Sequence, residues 1–152
     1  MKKPLPPTYL LIALVAIAAL HVVAPGPQLL HTPWRYLGLL PLGLGIWVNF
    51  WADALFKRAQ TEIRPFRDST TLVTTGPYSI SRHPMYLGMV AIALGAALAA
   101  GSSLPLAVPI VLWWLLTAHF AGPEEAELHR QFGVQYDEYA HHVRRWIGRR
   151  AA

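Results

Sequence analysis

The chain has no cysteine, which excludes disulfides, thiolate metal sites and a cysteine nucleophile. It is also poor in charge, with 14% of residues charged against 54% hydrophobic. The few charges fall in short blocks separated by long apolar runs, the pattern of an integral membrane protein. No glycine-rich fingerprint follows a strand, no Walker loop occurs, and no serine, histidine and aspartate set suggests a hydrolytic triad. His21, His31, His119, His129, His141 and His142 lack zinc-type spacing, so no metal is expected. The formal charge of +5 does not point to nucleic acid. The basic residues flank apolar runs, where lipid headgroups and membrane topology account for them.

Four runs qualify as membrane spans, at about residues 8–24, 34–56, 84–100 and 104–120. The expected fold is therefore all-α and integral to the membrane. It comprises about four transmembrane helices, a cytoplasmic loop over 57–83 and a cytoplasmic tail over 121–152 with an amphipathic helix. All 152 residues form one membrane domain in this reading. The first run is read as a retained helix rather than a secretory signal, because its core is long and Val22-Val23-Ala24-Pro25 is a poor cleavage site. Pro41 falls inside the second run, where neighbouring helices can satisfy the freed carbonyl. Gly101-Ser102-Ser103 leaves room only for a hairpin between the third and fourth runs. Twelve of the thirteen lysines and arginines fall on one side of this arrangement, with Arg35 alone opposite. Both termini and the 57–83 loop are expected in the cytoplasm.

Two polar blocks should meet on that side. The stretch Thr75 to Gly88 joins turn residues, Arg82, His83, Tyr78 and Tyr86 to the start of an apolar helix. Gly76-Pro77 and the pre-proline position of His83 favour turn or extended backbone. In the tail, Pro123 suits a first helical turn, and Glu124, Glu125 and Glu127 behind it suit the helix dipole. Capping is their plainest role. Their place at the membrane face, within reach of Arg82 and His83, also suits them to hold a cationic ligand. Leu128, Phe132, Tyr136, Tyr139, Val143 and Trp146 recur at helical spacing, with Gly133 as a break, and read as a face that packs on the headgroup zone or on the 57–83 loop. Asn49 and Asp53 share a face of the second span, and Asp53 either turns inward or snorkels to the interface.

With Leu72-Val73-Thr74-Thr75-Gly76-Pro77-Tyr78, then Arg82-His83-Pro84-Met85-Tyr86-Leu87-Gly88, Glu124-Glu125-Ala126-Glu127-Leu128 and Phe132-Gly133-Val134-Gln135-Tyr136-Asp137-Glu138-Tyr139, the chain resembles the isoprenylcysteine carboxyl methyltransferase family. It also resembles the related phospholipid methyltransferases. The resemblance implies a methyltransferase that uses S-adenosylmethionine on a lipophilic small molecule or membrane lipid. It implies cofactor contacts from Thr70, Thr71, Leu72, Val73, Tyr78, His83, Pro84, Met85, Tyr86 and Glu124. Glu124, Glu125 and Arg82 are the catalytic candidates. Relatives that methylate a carboxylate place an arginine four residues before the first glutamate of EExxL, and here that residue is Phe120. An amine, thiol or other lipophilic nucleophile is thus at least as good an expectation as a prenylcysteine carboxylate. Two other classes share features of this pattern: an NADPH-dependent membrane reductase of the sterol-reductase type, and a non-catalytic membrane protein that retains the fold.

Overall fold

Helices begin and end where proline, glycine and charge require it. The computed structural model describes residues 5–58 and 71–149. Helix α1, Pro6–Val23, opens on a proline at its first position and ends ahead of Pro25, with Ala24 already outside helical backbone at φ −147°. A 3₁₀ turn, Trp34–Gly38, leads into α2, Leu39–Arg58. This junction puts Pro41 in the first turn of α2, where its missing N–H removes no bond from the helix interior. Helix α3, Pro84–Ala100, again starts on a proline.

The fourth apolar run departs from expectation. A 3₁₀ turn, Leu104–Leu106, passes into α4, Ala107–Leu116, then a π-helical turn, Thr117–Ala121, and then α5, Gly122–Phe132. Ala121, at φ −59° and ψ −46°, is itself helical, so Pro123 does not open a new helix. A proline inside a helix lacks one N–H and crowds the carbonyl four residues back, and the widened π turn before it accommodates both effects. Glu124 and Glu125 therefore sit within a continuous helix rather than at a free N-terminus. Gly133, at φ 53°, ends α5, and α6 follows over Val134–His142.

Among the described residues, Pro6–Val23, Trp34–Arg58 and Leu104–Phe132 are long and apolar enough to cross a membrane, and α3 is a shorter apolar helix of 17 residues. The protein is all-α and of the integral membrane type. In Leu104–Phe132 the uncharged stretch ends at Pro123, and Glu124, Glu125, Glu127 and Arg130 put the charge of this segment into α5. Leu11, Ile12 and Val15 on α1 and Ile110 and Trp114 on α4 are more than half exposed, as lipid-facing side chains are.

The chain divides into two compact units. One comprises Met1–Trp47 and Tyr86–Leu116. Within it α1 packs on α4 and on the turn before α4, and Ala13, Ile17, Met89, Ala93, Ala97, Leu112 and Leu116 are buried. Four glycines bring the start of the second span against α3. A Cβ at Gly38 would lie 2.4 Å from the Gly95 carbonyl oxygen, and one at Gly45 would lie 2.4 Å from that of Gly88. Seven-residue spacing on both segments keeps the small residues facing each other, and backbone contact is how helices associate where lipid removes the hydrophobic drive. At the end of this unit, Leu29 and Leu30 donate N–H bonds to Gly101 O, and Ser102 shares a 3.0 Å hydrogen bond with His21.

The second unit comprises Val48–Met85 and Thr117–Ala152. Its buried residues include the polar or aromatic Tyr78, Ser81, His83, Phe120 and Tyr136 beside Ala52, Ala121 and Val143. Asp53 pairs with Lys57 one turn along α2 at 2.5 Å.

Candidate active site

The site is built in the second unit, where the segment before α3 is clasped by the tail. The 3₁₀ turn Gly76–Ser79 is closed by Ser79 Oγ donating to Gly76 O at 2.7 Å. Gly76 adopts φ +61°, and a Cβ there would come within 2.7 Å of Leu55 on α2. Glycine thus lets the turn lie against α2 and seats Tyr78 edge-on to Phe56, with ring centres 5.4 Å apart.

The tail holds this turn by backbone and side chain alike. Arg82 N–H donates to Arg144 O, Gly148 N–H to Ile80 O, and Tyr139 OH to Tyr78 O at 2.7 Å. Ser81 Oγ donates to Arg145 O at 3.2 Å and accepts the His83 N–H at 3.1 Å. The aromatic face of the tail therefore packs on the loop, one of the two placements that its periodicity allowed.

His83 is the centre of the arrangement. Its ring is buried, with Nε2 3.0 Å from Glu125 Oε1 and Nδ1 3.6 Å from Glu124 Oε2. Trp146 stands 6.0 Å away, centre to centre. Burial alone would lower the His83 pKa, but the hydrogen bonds and charges of Glu124 and Glu125 outweigh it and raise the pKa above 6.5. Glu125 receives two bonds from Arg145, Nε at 2.8 Å and Nη2 at 2.6 Å, with Arg82 Nη1 3.5 Å away. Burial works against its charge, yet His83, Arg145 and Arg82 together pull its pKa down to about 2. Arg82 Nη1 also donates to Tyr136 OH at 3.2 Å. Burial is the first cause raising Tyr136 to about 12 and Tyr78 well above 10, and Glu124 adds to the Tyr78 shift.

Tyr78, Arg82, His83, Glu124 and Glu125 are thus brought into one network. Pro84 and Met85 follow directly as the first residues of α3, and Tyr86, also buried, comes next in that helix. Thr71 is exposed and Leu72 and Val73 are half-buried, and no hydrogen bond or ion pair ties these three to the network. Thr70 lies outside the described residues. The two glutamates differ: Glu125 keeps 12% of its side chain exposed and is committed to Arg145, whereas Glu124 keeps 31%. Phe120 is 3% exposed in the π turn. No group of three or more His, Asp or Glu able to hold a metal occurs among the described residues.

Arg145 and Ser81 are the residues that sequence reasoning missed. A pair of arginines twenty residues beyond a pair of glutamates is a visible charge pattern, but charge pattern alone does not select Arg145 for Glu125. Searches of curated proteins and of solved structures return no match. The phospholipid methyltransferase family profile matches residues 34–135, two thirds of the chain, and includes Tyr78, Arg82, His83, Glu124 and Glu125. On that match, over an all-α membrane architecture, the chain belongs to the phospholipid methyltransferase family.

Proposed function

We propose that this protein is an S-adenosylmethionine-dependent methyltransferase acting on a lipophilic acceptor taken from the membrane. The observation that carries the reading is the buried His83 held between Glu124 and Glu125 at the mouth of α3, inside the segment that matches the family. A sulfonium cofactor is a cation with an amino group, and a partly exposed carboxylate at Glu124, backed by an imidazole and near Tyr78, fits such a group.

When bound, S-adenosylmethionine would supply an electrophilic methyl group, whose in-line transfer needs little acid or base chemistry. The protein's task is then positioning and exclusion of water. In this reading Glu124 and His83 hold the cationic end, and Tyr78, Pro84 and Met85 supply apolar and aromatic walls. Thr70, Thr71, Leu72, Val73 and Tyr86 are further contacts implied by the resemblance. Glu125 and Arg82 act behind this layer: Glu125 fixes His83, and Arg82 fixes Tyr136 and Glu125. Phe120 at the carboxylate-anchor position favours an amine or other uncharged nucleophile, the phospholipid-amine type, over a prenylcysteine carboxylate. We further propose a single membrane domain, because α2 and α3 each run unbroken through the boundaries of the two units. Both termini would face the cytoplasm, by the distribution of basic residues.

The test is calorimetric titration of the detergent-purified chain with S-adenosylmethionine and, separately, NADPH. It is followed by labelled-methyl incorporation into phosphatidylethanolamine, a lipophilic thiol and a prenylcysteine. Binding of S-adenosylmethionine with transfer to the amine or thiol is expected. Binding of NADPH alone would overturn the assignment in favour of a reductase, and binding of neither in favour of a non-catalytic protein.

A further inference from the structure

Beyond the network around His83, the tail forms a second polar feature. After α6, residues 143–149 turn back in a short hairpin, bridged between Val143 and Arg149 and closed by Arg144 N–H donating to Gly148 O at 2.9 Å. The hairpin is fastened to the loop by Gly148 N–H to Ile80 O and Arg149 Nε to Ser79 O. Between it and Arg82 lies an open cleft of about 640 Å³ lined by Arg82, Arg144, Arg145, Trp146 and Ile147.

We propose that this cleft binds the phosphodiester of an anionic lipid headgroup. Three arginines line it, and Glu125 pairs with two of them, Arg82 and Arg145. Donors remain after those pairs are made. The Arg144 guanidinium makes no hydrogen bond or ion pair among the described residues. Guanidinium forks match the paired non-bridging oxygens of a phosphate, and several together favour it over a single carboxylate. A lipid rather than free phosphate is favoured by Ile147, 67% exposed on the rim, and by Arg82 lying two residues before the apolar helix α3. The proposal concerns a lipid held by the tail and does not depend on the methyl-transfer reading.

The full chain in detergent is titrated by calorimetry with short-chain phosphatidylglycerol, short-chain phosphatidylcholine and inorganic phosphate. Phosphatidylglycerol should bind most tightly, with an affinity that falls as salt rises. Arg144→Gln should weaken it about fivefold, the share of one surface arginine, while Arg144→Lys, which keeps the charge but not the fork, should fall between. Thermal melting of Arg144→Gln should match the wild type, since that side chain holds nothing else in place. Equal affinity for the two lipids, or an unchanged phosphatidylglycerol affinity in Arg144→Gln, would overturn the proposal. Inorganic phosphate binding as tightly as phosphatidylglycerol would also overturn it, because the cleft would then be a small-anion site.

Discussion

Arg145 grips Glu125 through two hydrogen bonds, 2.8 and 2.6 Å, and so ties the tail to α5 twenty residues earlier in the chain. Because Glu125 also takes His83 Nε2 at 3.0 Å, the same carboxylate orients the imidazole at the centre of the candidate site. One side chain outside the span of the family match thus sets the geometry of residues inside it.

Removing that grip should loosen the second unit. Arg145→Ala leaves a mostly buried carboxylate short of two charged donors, and a loss of about 1–3 kcal/mol is expected. Arg145→Lys retains the charge but not the fork, and should fall between. Tryptophan-monitored thermal unfolding in detergent measures both; melting temperatures equal to wild type would show that the pair contributes nothing.

The two carboxylates should separate by phenotype. Glu124→Gln should weaken S-adenosylmethionine binding about tenfold, the worth of one charged hydrogen bond, with little change in melting temperature. Glu125→Gln should instead lower the melting temperature first, since Glu125 has three cationic neighbours in the fold. Calorimetric titration beside a melting curve for each variant distinguishes them. The reverse pattern would exchange their proposed roles.

Stability should depend on pH in a defined window. The His83 pKa is raised by folding, so its stabilisation is complete below about 6.5 and is lost as pH climbs through the raised value. The Glu125 pKa is lowered from 4.5 to about 2, so its stabilisation is complete above 4.5 and is lost as pH falls toward 2. Melting temperature should therefore peak between about pH 4.5 and 6.5. In His83→Gln the decline on the alkaline side should flatten, and an unchanged profile would remove His83 as its cause.

Two glycines two positions apart, Gly43 and Gly45, should behave oppositely. Gly45→Ala would put a methyl 2.4 Å from the Gly88 carbonyl oxygen, which belongs to backbone and has no freedom to turn aside, and about 1–3 kcal/mol should be lost. A Cβ at Gly43 meets nothing within 4 Å, so Gly43→Ala should change stability by no more than about 1 kcal/mol, toward greater stability. Parallel melting curves decide the matter, and equal effects would contradict the close crossing.

The sequence by itself determined the number and approximate limits of the apolar helices. Partition into lipid depends on the composition of a contiguous run, and a run such as Pro84 to Ala100 reads the same whether or not its neighbours are known. Proline and glycine marked the ends of α1 and α5 for the same local reason. The motif residues from Tyr78 to Tyr86 and the glutamate pair were also legible, because turn chemistry and a charged block beside an apolar run are local signals. Only the tertiary structure decided which partners those residues take. It decided that Arg145 rather than Arg144 holds Glu125, that α5 continues α4 through a π turn, and that Gly38 and Gly45 meet Gly95 and Gly88. Each of these depends on where a returning segment lies to within an ångström or two, and side-chain type and spacing along one chain do not carry that distance.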